Sequence, residues 1–139
     1  MTTLFTKIIN HEIPGVFVYR DHVCAAFMSI NPLAVGHTLV VPIEEVDEWT
    51  DLDRDTADHV FHVAHLIGQA QKKAFSCNRV GLIIAGYEIS HCHLHVIPTN
   101  SMHQLSFANA VLSVTPDDLR DSANTLRSML ASVGLKASE

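Results

Sequence analysis

Three histidines at alternate positions are the residues of this sequence most suited to chemistry. His91, His93 and His95 lie in the stretch SHCHLHVIP, where Cys92 and apolar residues separate them. Successive side chains of a β-strand point to opposite faces of the sheet. If residues 88–97 form a strand, the three imidazoles share one face, and the residues between them pack into an apolar core on the other.

The row allows two interpretations besides covalent catalysis. One is a polar sheet face without chemistry. The other is a metal site, because histidines at alternate strand positions can bind one zinc ion with a third ligand from elsewhere. A nearby carboxylate normally orients such ligands, and strand parity places Glu88, the only candidate, on the opposite face. No cysteine pair and no H-E-x-x-H helix supplies further ligands.

Covalent catalysis at phosphorus is the third interpretation. A neutral imidazole is a good nucleophile toward phosphoryl groups, and the N–P bond that it forms is labile enough to be hydrolysed in a second step. Neighbouring imidazoles can donate hydrogen bonds to the phosphate oxygens and to the leaving group. This chemistry needs several histidines around one small anion, which the row provides.

Composition and charge narrow the class of protein. The 139 residues, of which 47% are apolar and 17% charged, predict one globular domain that spans residues 1–139. The net charge of −6, without a Lys/Arg cluster, argues against a nucleic-acid partner. No apolar run approaches the roughly 20 residues that cross a bilayer, so we expect no membrane partner. Three cysteines without a C-x-x-C pair are typical of reduced thiols in the cytoplasm.

Hydrophobic periodicity predicts an α+β domain with an antiparallel sheet of about five strands. Apolar residues at helical spacing predict a long helix over about 53–75. Thr115, followed by Pro116 and two aspartates, predicts the start of a C-terminal helix over about 116–133. The expected strands are VFVYR, HVCAAFMS, HTLVVPI, RVGLIIAG and EISHCHLHVIP, and TLFTKIIN is expected to be a short helix.

The motifs together resemble the histidine triad (HIT) family. HCHLHVIP matches the family signature of three histidines that alternate with apolar residues, and GHTLVVP and AGYEISH precede it in the expected order. The resemblance covers about residues 3–98 and is weak beyond Pro98. Within the family, the chain resembles the nucleotide phosphoramidase and hydrolase (Hint-like) members.

The resemblance implies an enzyme. Members are nucleotide-binding hydrolases or transferases that act on the α-phosphorus of purine nucleoside phosphate derivatives through a covalent nucleotidyl-histidine intermediate. Their typical substrates are phosphoramidates, adenylates and dinucleoside polyphosphates. The resemblance also implies a homodimer and no cofactor. The alternative is a nucleotide-binding regulatory module with little turnover.

Four histidines receive roles from the same match. His93 matches the nucleophile, and His95 matches the contact to the phosphate and the leaving group. His91 matches the supporting first member of the triad. His37, in GHTLVVP, matches a fourth histidine that completes the site from a neighbouring strand.

The match also implies where substrate binds. The SINP stretch is expected at the nucleoside, the turn before the triad is expected at the phosphate, and the segment with His103 and Phe107 often borders the substrate in this family. The expected binding residues are Ser29, Ile30, Pro32, Gly86, Tyr87, Glu88 and Ile89.

The chain departs from the family pattern at the ribose, at the phosphate and at a metal site. Ser29 stands where many members have an aspartate for the ribose, and Tyr87 stands where many have a glutamine near the phosphate. Zinc-binding members carry C-x-x-C near the start and a further histidine after the VVP strand, where this chain has Thr3, Thr6 and Glu45. We therefore expect no structural metal, and weaker AMP binding than in a relative that bears the aspartate.

Overall fold

The computed structural model describes residues 2–137. It contains three α-helices and one five-stranded antiparallel sheet, in which the first three strands of the chain are neighbours in order and the fifth lies between the third and the fourth. This architecture confirms the predicted α+β class, the five strands, the long helix and the C-terminal helix. The elements are α1 (Leu4–Ile9), β1 (Phe17–Arg20), β2 (Cys24–Met28), β3 (Thr38–Pro42), α2 (Arg54–Ala74), β4 (Arg79–Ile83), β5 (Leu94–Thr99) and α3 (Pro116–Leu130).

Capping residues define the starts of the two long helices. The side chain of Asp53 accepts a hydrogen bond from the Thr56 backbone N–H at 2.7 Å, and Thr115 caps α3 in the same way. Helix α2 matches the predicted span closely. Helix α3 ends at Leu130, earlier than predicted, and a single 3₁₀ turn continues the chain through Val133. Among residues 2–137, none of the helices has the length and apolar content that a bilayer crossing requires.

The two faces of the sheet are covered by different helices. Helices α2 and α3 pack on one face, where Cys92, Leu94 and Val96 are buried in the larger core. Helix α1 covers the other face, where Phe5 packs on Phe27 with ring centroids 5.7 Å apart. The triad imidazoles lie on the α1 side, so the alternation inferred from the sequence is correct for these residues.

The strand that carries the triad is shorter than the sequence predicts. β5 begins at Leu94, and β4 ends at Ile83, so residues 84–93 form a connection that lacks strand pairing. Alternating apolar and polar residues indicate an extended backbone, but they do not show whether another strand lies within hydrogen-bonding reach. In this connection the Cys92 N–H instead donates to the carbonyl of Val46 at 2.7 Å.

Two residues fix the start of β3, which His37 directly precedes. The buried Gln71 of α2 donates through Nε2 to the carbonyl oxygens of Gly36 and Val96, at 3.1 and 2.9 Å. These bonds hold β3 and β5 at a fixed spacing. Gly36 has a φ of +94°, and a Cβ there would lie 2.6 Å from the Phe75 ring, so only glycine fits.

We predict that Gly36→Ala destabilises the fold more than Gly86→Ala does. Both glycines have positive φ, +94° and +86°, but a Cβ at Gly86 would meet nothing within 4 Å. The backbone strain of about 1–2 kcal/mol is common to both variants. Displacement of Phe75 adds about 1–3 kcal/mol for Gly36→Ala alone. Denaturant titration measures both losses, and equal losses would contradict the steric explanation.

Candidate active site

A cavity of about 380 Å³ opens beside the triad on the α1 face of the sheet. Its walls come from α1, from the ends of β2 and β3, from the connection before β5, and from the segment after β5. Apolar side chains form most of the walls, with imidazoles along one side. The residues that line it are Leu4, Phe5, Ile8, Pro14, Gly15, Phe27, Met28, Ser29, Ile30, Asn31, His37, Leu39, Glu88, Ile89, His93, His95, Phe107, Ala110 and Leu112.

A backbone amide fixes the protons on His37 and His95. The Leu33 N–H donates to Nδ1 of His37 at 2.9 Å, so this nitrogen is an acceptor and the neutral ring carries its proton on Nε2. That Nε2–H lies 3.0 Å from Nδ1 of His95 and donates to it. The proton of neutral His95 is therefore on Nε2. This nitrogen is buried and has no hydrogen-bond partner in the part of the chain that the structure describes.

A backbone carbonyl fixes the proton on His93. Nδ1 of His93 lies 2.7 Å from the carbonyl oxygen of His91. A carbonyl oxygen can only accept, so Nδ1 carries the proton and the neutral ring has its lone pair on Nε2. Phe5 packs against this ring with centroids 4.7 Å apart, and the His95 ring lies 4.8 Å away. The site thus presents an imidazole lone pair on His93 beside an unpartnered N–H on His95.

His91 lies behind the cavity, and both of its ring nitrogens are hydrogen-bonded. Its Nε2–H donates to the carbonyl of Pro42 at 2.7 Å, and its Nδ1 accepts from the Thr3 hydroxyl at 2.6 Å. Glu45 accepts from the Thr3 backbone N–H at 2.8 Å, and hydrogen bonds from Thr6 and Thr3 hold the pKa of its carboxyl below the usual range. Thr6 and Glu45 are therefore joined to His91 through Thr3 in one hydrogen-bonded network.

Burial keeps the imidazoles of this network neutral. Removal from water lowers the pKa of His37 to about 3 and that of His95 to about 4, and the neighbouring histidines add to both effects. Burial also lowers the pKa of His91. Neutral rings are what the assigned hydrogen bonds require, because a proton added to Nδ1 of His95 would face the Nε2–H of His37.

The segment after β5 closes the cavity over His95. The Phe107 ring meets the His95 ring edge-on, with centroids 4.9 Å apart. The Val111 N–H donates to the carbonyl of Pro32 at 3.0 Å, which ties this segment to the loop after β2. His103, considered with Phe107 from the sequence, is exposed and does not line the cavity.

The structure brings together most, but not all, of the substrate-binding residues expected from the sequence. Ser29, Ile30, Glu88 and Ile89 line the cavity together with His37, His93 and His95. The buried His91 lies behind it. Three expected residues are not part of its lining. Pro32 lines a neighbouring cavity, Gly86 shapes the turn with its positive φ, and the Tyr87 side chain is 96% exposed.

Glu88 lies on the same side as the triad, where the sequence analysis did not place it. Strand parity placed it on the face opposite the triad, but a carboxylate oxygen of Glu88 lies within 4.8 Å of one ring nitrogen of each of His93 and His95. The parity argument failed because residues 84–93 are not paired as a strand. The turn at Gly86 redirects the chain and brings the exposed carboxylate to the mouth of the cavity.

Two groups of side chains in residues 2–137 have the spacing of metal ligands. In the group of Asp21, Cys24 and His59, the carboxylate already accepts from His59, from Tyr19 and from two backbone N–H groups. The other group is Glu88 with the two histidines beside it. There Nδ1 of His95 already accepts a hydrogen bond, and its Nε2 carries the proton. His95 therefore offers no lone pair to a cation beside the one on His93.

We predict that the free energy of unfolding falls as the pH drops from about 6.5 toward 4. The folded-state pKa of His95 is about 4, below the ordinary value of 6.5. The unfolded chain therefore binds the proton first, and the stabilisation present above pH 6.5 is lost through this window. His95 alone contributes roughly 3 kcal/mol to the decrease.

Denaturant titrations across this pH range measure the slope. His95→Gln should reduce the slope and leave the part that His37 and His91 contribute, whereas His62→Gln, at an exposed position on α2, controls for the replacement itself. A slope equal to wild type in His95→Gln would show that this imidazole is not held neutral by the fold.

Known proteins share this sequence pattern and this fold. The HIT domain profile matches residues 10–102. An uncharacterized HIT-like protein of Borreliella burgdorferi is 41% identical over 102 residues, which cover 68% of this chain and 73% of the relative. An adenylylsulfatase of Arabidopsis thaliana is 30% identical over 100 residues, which cover 68% of this chain and 51% of that protein.

A solved structure extends the likeness to the whole domain. The crystal structure of a hypothetical histidine triad nucleotide-binding protein from Sulfolobus tokodaii superposes with a TM-score of 0.81 at 28% identity, covering 93% of this chain and 92% of that one. The matched profile spans most of the chain, including all four histidines of the site. The chain therefore belongs to the histidine triad (HIT) family.

Proposed function

We propose that this protein is a nucleotidyl hydrolase that cleaves purine nucleoside phosphate derivatives at the α-phosphorus. The observation that carries the proposal is the pairing of His93 and His95 at one cavity. Backbone bonding leaves His93 with a free Nε2 lone pair, and the Nε2–H of His95 has no partner among residues 2–137. A nucleophile and a donor to a phosphoryl oxygen are the two groups that attack at phosphorus requires.

In the first step, Nε2 of His93 attacks the α-phosphorus, and the bond to the leaving group breaks. Its Nδ1–H stays bonded to the His91 carbonyl, so the positive charge that develops on the ring faces a carbonyl oxygen. The Nε2–H of His95 donates to a phosphoryl oxygen. Water then attacks the nucleotidyl-histidine, which releases the nucleoside monophosphate and restores His93.

The nucleoside occupies the apolar part of the cavity in this proposal. Leu4, Phe5 and Ile30 offer apolar surface to a purine, and Ser29 lies at the ribose. Phosphoramidates, adenylates and dinucleoside polyphosphates all present the required phosphorus. The alternative is a regulatory module that binds nucleotide with little turnover. Incubation with adenosine 5′-phosphoramidate separates the two, because only the hydrolase releases AMP.

We further propose a homodimer that functions without a cofactor in the cytoplasm. Among the described strands, β4 pairs with β5 alone, and Leu82 of β4 is half-exposed. Beside it, side chains of α2 and β4 line an open, apolar cavity of about 380 Å³. This apolar surface is suited to contact with a second copy of the chain. Cys24, Cys77 and Cys92 are free thiols, which supports a reducing compartment.

We predict that His93→Ala abolishes turnover of adenosine 5′-phosphoramidate. Loss of the nucleophile should lower kcat at least about a thousandfold. AMP binding should remain measurable, because the rest of the cavity is unchanged. Rapid quenching of the wild type without acid should preserve the nucleotide adduct. Peptide mapping should then locate the nucleotide on the peptide that contains His93. The exposed His62→Ala is the matched control.

Two outcomes would contradict this assignment. One is a nucleotide adduct that maps to His91 or His95 while His93 stays free. The other is full activity in His93→Ala, provided that its melting temperature equals that of the wild type.

We also predict that Ser29→Asp tightens AMP binding about five- to tenfold. A hydrogen bond to a charged acceptor contributes roughly 1–1.5 kcal/mol more than one to a neutral hydroxyl. Ser29 is buried at the cavity wall, where the proposal puts the ribose, so the new carboxylate would accept from the ribose hydroxyls. Calorimetry with AMP and 2′,3′-dideoxy-AMP measures the effect, and Ser29→Asn controls for side-chain size. Equal gains for both ligands would show that Ser29 does not face the ribose.

A further inference from the structure

A second cavity, of about 510 Å³, lies between α3 and the segment that joins α1 to β1. None of the histidines of the candidate active site lines it, and we call it the arginine cavity after Arg120 and Arg127 in its wall. Pro14, Gly15 and Ile30 line both this cavity and the triad cavity, so the two are neighbours. Pockets that bind small organic molecules have volumes of about 300–1,000 Å³, so the arginine cavity is large enough for such a ligand.

Arg127 brings a positive charge to this cavity that no carboxylate among residues 2–137 offsets. Its guanidinium donates to the carbonyl oxygen of Phe17 and, at 3.1 Å, to the side-chain oxygen of Asn124, and both acceptors are uncharged. It takes part in none of the ion pairs formed within this part of the chain. Its Nε is buried and lacks a hydrogen-bond partner there. A partly buried charge without an opposite charge is unfavourable, and an anion in the cavity would reduce this penalty.

The other charged side chain of the cavity wall is also basic. Arg120 lies about two helical turns before Arg127 on α3, which places the two side chains on the same side of the helix. Arg120 pairs with the exposed Asp117, whose side chain does not line the cavity. The lining contains no acidic residue, in a chain whose net charge is −6. This distribution of charge favours an anion in the cavity over a cation.

His11 reaches the arginine cavity from a strained backbone position. In the described part of the chain it is the only residue other than glycine with a positive φ, at +62°. Its N–H donates to the carbonyl of Ile8 at 3.0 Å, and that of Glu12 donates to the carbonyl of Lys7 at 2.8 Å, a helix ending at which glycine is usual. The His11 ring packs on the Phe17 ring with centroids 5.5 Å apart and lines the cavity. A histidine in this position thus adds a hydrogen-bonding imidazole to the cavity despite the strain.

We propose that the arginine cavity binds a small organic anion, whose carboxylate or phosphate group pairs with Arg127 and whose apolar body packs on the rest of the wall. Each terminal nitrogen of Arg127 has two N–H groups and uses one of them in the bonds described above, so one on each nitrogen remains. Carboxylate and phosphate oxygens match the parallel N–H groups of a guanidinium. Val16, Val114 and Leu119 supply apolar wall. This site goes beyond the proposed hydrolase function and does not depend on it.

Three probes with the same ring system test the proposal: 1-naphthoate, 1-naphthyl phosphate and the uncharged 1-naphthamide. Each is titrated into the nitrogen-15-labelled protein, and the amide chemical shifts give both the location and the affinity of binding. We expect both anions to shift the amides of Val16, Phe17 and Leu119 and to bind there at least about fivefold more tightly than naphthamide, because a charge-assisted hydrogen bond adds to the apolar contact. Shifts at His93 and His95 report binding in the triad cavity separately. The anion that binds more tightly identifies the group that the arginine cavity prefers.

Variants locate the charge that is responsible. Arg127→Gln should weaken both anions about five- to tenfold and leave naphthamide unchanged, whereas Arg127→Lys retains the charge and should keep most of the anion affinity. Arg54→Gln is the matched control, because Arg54 is an exposed arginine of α2 that does not line the cavity. Arg120→Gln, at an exposed position in the wall, should weaken the anions about two- to threefold. This second variant leaves the bond between Arg127 and the Phe17 carbonyl intact.

Three results would overturn the inference. The first is equal affinity of the anions and naphthamide for the arginine cavity. The second is a set of anion-induced shifts confined to the triad cavity, at His37, His93 and His95. The third is unchanged anion affinity in Arg127→Gln. If a melting curve shows that Arg127→Gln does not fold, unchanged affinity in Arg120→Gln overturns the inference instead.

Discussion

The hydrogen bond from the Leu33 N–H to His37 is the constraint on which the site depends. It makes Nδ1 of His37 an acceptor, and through His37 it determines which nitrogen of His95 carries a proton. The carbonyl oxygen of His91 likewise determines which nitrogen of His93 carries a proton. A backbone N–H can only donate and a backbone carbonyl can only accept. Each therefore fixes the tautomer of the imidazole that it contacts, although a neutral imidazole can otherwise carry its proton on either nitrogen. The reactive pair is thus prepared before any ligand arrives.

The rest of the fold keeps these backbone groups in place. Gln71 reaches from α2 to the carbonyl oxygens of Gly36, just before β3, and of Val96, within β5, and Gly36 permits the tight entry into β3. Burial complements this geometry, because low water access keeps the rings of His37 and His95 neutral. Neutral rings in turn preserve the hydrogen bonds. Packing and hydrogen bonding therefore favour the same protonation state. Few other arrangements of the protons would satisfy this buried polar network.

The sequence predicted the elements well and the connections poorly. Alternation correctly placed Cys92 and the triad imidazoles on opposite faces, and the capping residue Thr115 located the start of α3. The same alternation overextended the triad strand and misplaced Glu88, because periodicity describes the backbone of a segment and not its pairing. The wall formed by Phe107 depends on the path of an irregular segment, which local pattern does not encode. Likewise, the partners of each imidazole nitrogen are contacts between distant residues.

The tautomers of the four histidines test this account most directly. Long-range proton–nitrogen NMR correlations of the nitrogen-15-labelled protein at neutral pH distinguish the two ring nitrogens of each histidine. We predict a proton on Nδ1 of His93, and on Nε2 of His37, His91 and His95. A His93 ring protonated on Nε2, or a His95 ring protonated on Nδ1, would contradict the claim that the backbone prepares a nucleophile and a donor at this cavity.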